Sequence, residues 1–317
     1  MLFHNNVMKN RKWLPPLALT CSVLWALAYP LIKLGYREFG IASDDLGSKI
    51  LFAGIRFLFA GILVFLISTA RHNNKENIHK KEWGWLLLFA LVNTSLHYLC
   101  SYVGLGYTPS ARGTIIDSMG SFLLILLSCV MFSDDKMSWN KAFGCILGFS
   151  GIVIMNITPG RMMFENISLR GDGMILLNAI CAAFGGIIGR VVSRKMNMIF
   201  ATGVSMTIGG GILCIAGLCI GFKQSLNFSL MGIVIIIALT LISAISFSIY
   251  NTLLAYHPIS TVAIYNAFIP VFGVAFSSLI LREQFMWKYL IAGVFVAGGI
   301  IAVNYNKYER KGDIKDD

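Results

Sequence analysis

Charge is what this sequence has least of. Only 13% of its 317 residues are Asp, Glu, Lys or Arg, against roughly 25% in a soluble globular domain, so no fold of it can turn a charged surface to water on every side. Acidic residues are scarcest, 15 against 26 basic ones, for a formal net charge of +11. A basic excess of that size suits nucleic acid when it is clustered. Here it is dispersed into short loops between apolar runs, which is the distribution that orients membrane spans, and no nucleic-acid partner is expected. The seven cysteines (Cys21, Cys100, Cys129, Cys145, Cys181, Cys214, Cys219) all fall within apolar runs and form no Cys-x-x-Cys. They behave as small hydrophobes, which argues against a disulfide framework. The five histidines lack ligand spacing, no Gly-rich phosphate loop joins a strand to a helix, and no nucleophile–base pair is visible. No metal, no cofactor and no enzymatic activity are expected.

What the chain has instead is apolar length. Fully 56% of it is hydrophobic, gathered into ten stretches near the roughly 20 residues that cross a hydrocarbon core of about 30 Å. The expected spans are 13–36, 50–69, 84–105, 110–132, 139–157, 173–193, 198–221, 229–254, 259–281 and 288–305. The fold class is thus all-α integral membrane. Ala26–Leu27–Ala28 resembles a signal-peptidase site, but the apolar run continues to Leu34 and nine spans follow, so it is read as a retained first helix. Lysine and arginine are commoner on the side of the two termini, led by the 70–83 loop and both ends, which predicts cytoplasmic termini in the cell (inner) membrane.

The sequence also repeats itself. Tyr107–Thr108–Pro109 recurs as Tyr256–His257–Pro258, a shift of 149 residues that also carries Ser128 to Ser277, Asp134 to Glu283 and Gly144 to Gly293. Lys33 matches Arg190 at 157, the difference being absorbed by the longer 70–83 loop. A unit with five spans, followed by itself, sits upside down the second time. Ten transmembrane helices as two inverted five-helix repeats is a build used by many secondary transporters, with the binding site between the repeats near the midplane. The expected organisation is a cytoplasmic segment 1–12, a first repeat 13–157, an external loop 158–172, a second repeat 173–305 and a charged cytoplasmic tail 306–317.

Several stretches resemble the drug/metabolite transporter superfamily and, within it, the EamA-type ten-span carriers. These are Trp25–Ala26 with Pro30 and Lys33, Arg56–Phe57–Leu58–Phe59–Ala60, the Tyr-x-Pro turn entering the fourth span of each half, Asn266 with Pro270 and Phe272, Leu281–Arg282–Glu283, and the glycines of spans 5 and 10. The resemblance implies a lidless carrier in which spans 1–4 and 6–9 surround a central cavity while spans 5 and 10 lie outside it. It also implies export of amino acids or related metabolites. Three positions depart from the family pattern: Ser121 beside Gly120 where span 9 has Pro270, Asp134–Asp135 in place of a glutamate, and Ala182–Ala183 in place of a tryptophan.

Ionisable groups in a bilayer cost several kcal/mol and default to functional sites. Asp117 is the one acidic residue well inside a span. At about 1.5 Å per residue it lies roughly 10 Å below the outer face, His97 about 12 Å and Arg56 about 9 Å. Under the repeat Asp117 maps to Asn266 and His97 to Ser246. These residues form the expected substrate site, with Asp117 attracting an ammonium or a proton, His97 titrating and Arg56 holding a carboxylate. Two readings stay open: a site for a zwitterion, or a structural pairing of Asp117 with Arg56 or His97. Tyr98 and Tyr102, one helical turn apart, and Tyr265, next to Asn266, are added by adjacency, and Trp25 as an aromatic on a cavity helix. Asn93, His97 and Ser101 make a polar stripe on span 3, with Asn178 and Asn251 as weaker candidates of the same kind. Lys33 and Arg190, near span ends, read as snorkelling anchors. Pro30 and Pro270 mark kinks.

The expected function is a secondary carrier exporting small polar metabolites by alternating access, with a proton, through Asp117 or His97, as the coupling ion that fits. Uptake of choline or another quaternary amine is the alternative, and a non-transporting membrane protein or lipid flippase the further one. The expected partners are a small-molecule substrate, the lipid bilayer and, through the glycine faces of spans 5 or 10, a homodimer.

Overall fold

A computed structural model describes residues 5–71, 80–156, 168–221 and 229–282, with scattered positions between 287 and 303. Glu283, Gly293, the charged tail, most of the 158–172 loop and most of the tenth span lie outside the described residues. The chain is built of helices. A short α1 (Asn5–Lys9) leads into α2 (Leu14–Glu38) and α3 (Leu46–Arg71). The third span is composite: α4 (Lys80–Ala90), a π-helical turn Leu91–Leu96, then α5 (His97–Leu105). After α6 (Ser110–Met131) and α7 (Trp139–Asn156) come α8 (Met174–Ser193), α9 (Met198–Ile220) and α10 (Leu230–Tyr256). The ninth span is α11 (Ile259–Ala263), a 3-10 turn Ile264–Phe268 and α12 (Ile269–Leu281). Eight helical segments among the described residues are long and apolar enough to cross a membrane, and α7 occupies the expected fifth span.

Local chemistry sets the helix starts. Two prolines open α2, where their missing N–H groups are unneeded. Pro109 and Pro258 stand at the N-caps of α6 and α11 with nearly the same extended backbone, φ −54°, ψ 145° and φ −55°, ψ 135°. Asn197 caps α9 by accepting from the amides of Ile199 and Phe200. Pro270 does not kink a continuous ninth span. It lies in the first turn of α12, and the break falls just before it, in the 3-10 turn that carries Tyr265 and Asn266. A proline cannot donate to the preceding turn and crowds its carbonyls, so the helix restarts there. The first-half counterpart, with Ser121 in that place, runs unbroken.

Backbones approach closely where glycine allows it. Gly47, Gly54 and Gly61 on α3 face α9, and Gly203, Gly210 and Gly217 on α9 face α3. Added to Gly54, a Cβ would stand 3.0 Å from the Cα of Cys214, and added to Gly203, 2.8 Å from the Cα of Phe65. Gly54 thus sits at Cys214, Gly61 at Thr207 and Phe65 at Gly203, so the two helices run antiparallel. With lipid as apolar as leucine, such helices associate through close packing rather than through a hydrophobic drive. Other contacts between the two halves come in mates under the sequence shift. Helix α5 packs on α8 as α10 packs on α2, and α6 packs on α8 as α12 packs on α2.

Polar links hold both ends of α6, to the turn before α8 at one end and to α7 and α11 at the other. At one end Asp172 pairs with Arg112 at 2.9 Å and accepts from Thr108. At the other, buried Asp135 pairs with Lys141 at 2.6 Å and accepts from the Ser128 hydroxyl and the Ser260 amide. Arg190 is no snorkelling anchor. It is buried, pairs with Asp134 at 2.7 Å, and donates to the carbonyls of Leu254, Ala255 and His257 at the end of α10. Those carbonyls are left open by the helix terminus and attract a cation.

Candidate functional site

A cavity of about 100 Å³ lies among α2, α3, the third span, α6, α8, α10 and the 3-10 turn leading into α12. The resemblance implied spans 1–4 and 6–9 around it, and all but one contribute lining. The exception is span 7: α9 places no residue on the wall, and its Gly203, Gly210 and Gly217 face α3.

Asp117 lines the cavity. The Tyr29 hydroxyl donates to Oδ2 at 2.6 Å, and the Asn178 side-chain amide donates to Oδ1. Gly120, one turn on, brings α6 against α8 so that Asn178 can reach: a Cβ there would stand 3.0 Å from the Cα of Ala179. The structural pairing of Asp117 with Arg56 or His97 is not what forms. Among the described residues no ion pair joins them, and the carboxylate is held by neutral donors. Arg56 is 1% exposed. Its Nε donates to the Leu239 carbonyl at 3.0 Å and the Ser243 hydroxyl at 2.7 Å, and Nη1 donates to Tyr102 Oη at 2.9 Å. One charge of each sign therefore faces one small space, each fixed by hydrogen bonds to neutral groups.

Of the residues expected from sequence, Trp25, Arg56, Asn93, His97, Tyr98, Asp117 and Asn266 all line this cavity. The Asn93, His97, Ser101 stripe reaches it whole, although the backbone at Asn93 is a π turn, a feature frequent at functional sites. Tyr102, Tyr265 and Ser246 do not line it. Tyr102 is fully buried behind the wall, holding Arg56. Tyr265 packs into the core on the α2 side, its carbonyl accepting from Ser22 at 2.9 Å. Ser246 turns its hydroxyl back to the Ile242 carbonyl at 2.6 Å. These three were expected from helical spacing, adjacency and the repeat respectively, none of which fixes how a side chain turns about its helix. Tyr29, Phe247, Tyr250 and Asn251 join the wall, and Asn178 reaches Asp117 from behind it. A single amide in the apolar first half of α8 was the signal for Asn178.

Trp25 packs on Phe247 and Tyr250 at ring-centroid distances of 5.2 and 4.8 Å, and Tyr250 Oη accepts from Asn266 Nδ2 at 2.8 Å. Among the described residues, five buried side-chain nitrogen or oxygen atoms have no partner: Trp25 Nε1, Asn93 Nδ2, His97 Nδ1, Asn178 Oδ1 and Asn266 Oδ1. All belong to cavity-lining residues except the Asn178 atom, which belongs to the residue holding Asp117. Buried polar atoms are otherwise satisfied in more than nine cases in ten, roughly, so a cluster of them around one cavity marks a place where a solute or water completes the bonding.

The chain matches the EamA-like transporter family over residues 13–157 and again over 169–305. It belongs to that family. Among its relatives are the uncharacterized transporter YvbV of Bacillus subtilis, 25% identical over 91% of this chain and 90% of that one, and the uncharacterized transporter sll0355 of Synechocystis, 26% identical over 89% and 86%. The WAT1-related protein At3g02690, chloroplastic, of Arabidopsis thaliana is 27% identical over 80% of this chain and 62% of its own. A crystal structure at 13% identity superposes with a TM-score of 0.72 over 93% of this chain and 98% of that one, which shows a shared fold. The protein is therefore a multi-pass membrane transporter of a small molecule, not an enzyme.

Proposed function

We propose that this EamA-family transporter carries a small zwitterionic metabolite, an amino acid or a close relative, out of the cytoplasm by alternating access. The observation that carries the proposal is the cavity wall: one carboxylate, one guanidinium and a set of unpartnered polar atoms around a space between the two halves of the chain. A zwitterion satisfies both charges at once, its ammonium at Asp117 and its carboxylate at Arg56. The antiparallel α3–α9 seam and the mated inter-half contacts support ten spans in two inverted repeats, 13–157 and 173–305, rocking about that seam. Asp117 or His97 is the proton-coupling group. Both termini lie in the cytoplasm, in the inner membrane.

The aromatic cluster of Trp25, Phe247 and Tyr250 favours a second reading, uptake of choline or another quaternary amine, since cation–π contacts recognise such ions. Purified protein in liposomes, with an imposed pH gradient and labelled amino acids inside, tests the first reading. Efflux that competing amino acids slow and choline does not is the expected result, and block by choline alone would shift the assignment to the second. For topology, single cysteines placed at Lys136 and Arg170 should be labelled from opposite sides, the former from the cytoplasm.

A further inference from the structure

We propose a second binding site in this protein, beyond the central cavity: a pocket at the end of α2 where Lys33 and Arg37 take an oxyanion, carboxylate or phosphate, with Lys49 adding positive charge from behind the wall.

The pocket has a volume of about 300 Å³ and is lined by Lys33, Tyr36 and Arg37 of α2, Ser43 of the loop after it, Gly106 after α5 and Leu281 at the end of α12. It stands about one helical turn beyond the central cavity. Helix α2 gives Tyr29 and Ile32 to that cavity and Lys33 and Tyr36 to this pocket, and α5 gives Ser101 to the one and Leu105 to the other. Four residues of helix are about 6 Å along the axis. In the proposed topology this end faces outside. Two cationic side chains and, among the described residues, no acidic one stand on the wall.

Helix geometry puts the cations there. Lys33, Tyr36 and Arg37 follow i, i+3, i+4 spacing and share a face. Cations near a helix C-terminus ordinarily serve its open carbonyls. On α2 the backbone has taken that role. Gly40, at φ 68°, reverses the chain, and the carbonyls of Gly35, Tyr36 and Arg37 accept from the amides of Phe39, Ile41 and Gly40 at 3.0, 2.8 and 3.3 Å. The last turn of α2 therefore has no need of Lys33 or Arg37.

Lys49 is an independent sign that an anion belongs here. It is 1% exposed. Its ammonium donates to the Ser43 carbonyl and faces the rings of Tyr107 and Tyr36, with centroids at 4.5 and 6.0 Å. Among the described residues no ion pair joins it to a carboxylate. Asp45, one turn before it, accepts instead from the Ser48 amide and hydroxyl at 3.1 and 2.8 Å. Burying an ammonium without a counter-ion is costly. Ser43 and Gly106, against which Lys49 packs, both belong to the pocket wall. Lys33 is near enough for the two charges to repel, and Asp44 and Asp45 offset this only in part. An anion at Lys33 and Arg37 relieves that repulsion, because like charges gathered at a recess concentrate a counter-ion there. The carboxylate of a solute passing this mouth and the phosphate of a lipid headgroup offer the same chemistry, and the test separates them.

The test places a reporter thiol in the pocket, Ser43→Cys, which keeps the backbone carbonyl that Lys49 uses. The full-length chain carries Cys219→Ser to remove the exposed native thiol, and the chain without the reporter is the blank. Labelling rates in neutral detergent are compared for a sulfonated and a trimethylammonium methanethiosulfonate, each relative to a free thiol in solution. The sulfonated reagent should be favoured by about 10-fold or more at low salt. Acetate or inorganic phosphate, at constant ionic strength, should slow labelling in a saturable way. In Lys33→Gln/Arg37→Gln the preference should fall to within about threefold and the protection should vanish. Arg37→Gln alone should give an intermediate result, and it serves if the double variant does not fold.

Protection by acetate in detergent assigns the site to solute carboxylates. Slowed labelling in nanodiscs of phosphatidylglycerol, but not of phosphatidylcholine, assigns it to an anionic headgroup, and either result supports the oxyanion site. Equal rates for the two reagents would overturn it. So would a preference without saturable protection, which is a diffuse field and no site, or protection that survives in the double variant. Labelling needs no flux, so these outcomes stand whether or not the central cavity carries a zwitterion.

Discussion

Gly210 and Gly211 are neighbours on α9 that face opposite surroundings, and alanine at each should act in opposite directions. A Cβ on Gly210 would lie 2.8 Å from both the Leu58 Cα and the Phe57 carbonyl carbon, 0.6 Å short of the 3.4 Å at which ordinary contact begins. These are backbone atoms of α3 and cannot rotate away, so the helices must part by at least that much along the seam. Gaps of 0.5–1 Å forfeit a quarter to a half of each dispersion contact, and overpacking of this kind costs about 1–3 kcal/mol. A Cβ on Gly211 meets nothing within 4 Å, and Gly→Ala in a helix gains up to about 1 kcal/mol. Thermal melting of the two purified variants in one detergent should therefore place Gly210→Ala below wild type and Gly211→Ala at or above it. Liposome flux should fall only for Gly210→Ala. Equal melting midpoints, or a loss confined to Gly211→Ala, would refute the assignment of the seam.

Asp117→Asn should abolish flux or uncouple it from the pH gradient while leaving expression and melting near wild type, and normal flux between pH 6 and 8 would remove Asp117 from the site. Arg190→Met should lower stability by about 1–3 kcal/mol, since three helix-end carbonyls lose a charged donor, whereas Asp134→Asn, at a side chain 44% exposed, should change it by under about 1 kcal/mol. Melting of the two variants side by side checks this. Asp135 gives a pH signature. Burial pushes its carboxyl up, but hydrogen bonds from Lys141 and Ser260 outweigh that and hold it below its ordinary value of 3.8. A depressed carboxyl stabilises above its unfolded pKa and loses that contribution only as pH falls through the folded one. Asp135→Asn should thus melt lower than wild type at neutral pH and converge with it only below the usual carboxylate range.

Much was legible in the chain itself. Apolar length fixed helices in a bilayer, because unpaired backbone groups cannot persist in lipid. The repeat and a lone intramembrane carboxylate pointed to a midplane site, and the structure gathers Asp117, His97, Arg56, Asn93, Asn266, Tyr98 and Trp25 on one cavity wall. Depth along a span follows from residue count at a constant rise per residue, so Asp117, His97 and Arg56 could be placed at one level in advance. Facing could not. Tyr102, Tyr265 and Ser246 turn elsewhere, because rotation about a helix axis is set by what packs against it. Pro270 was legible as a disruption, but that it ends one helix and begins another was not.

By itself the sequence determined the class of fold, the positions of the described spanning helices and the family. Those depend on composition, periodicity and order, which are local or additive along the chain. Only the tertiary arrangement decided what holds Asp117 and what span 7 does. Asp117 is held by Tyr29 and Asn178 rather than by a cation, because Gly120 lets α6 and α8 close to contact. Helix α9 places no residue on the cavity wall, and its Gly203, Gly210 and Gly217 pack on the α3 backbone instead. Both outcomes are pairings between residues far apart in the chain, and a pairing has no value until both partners are in place.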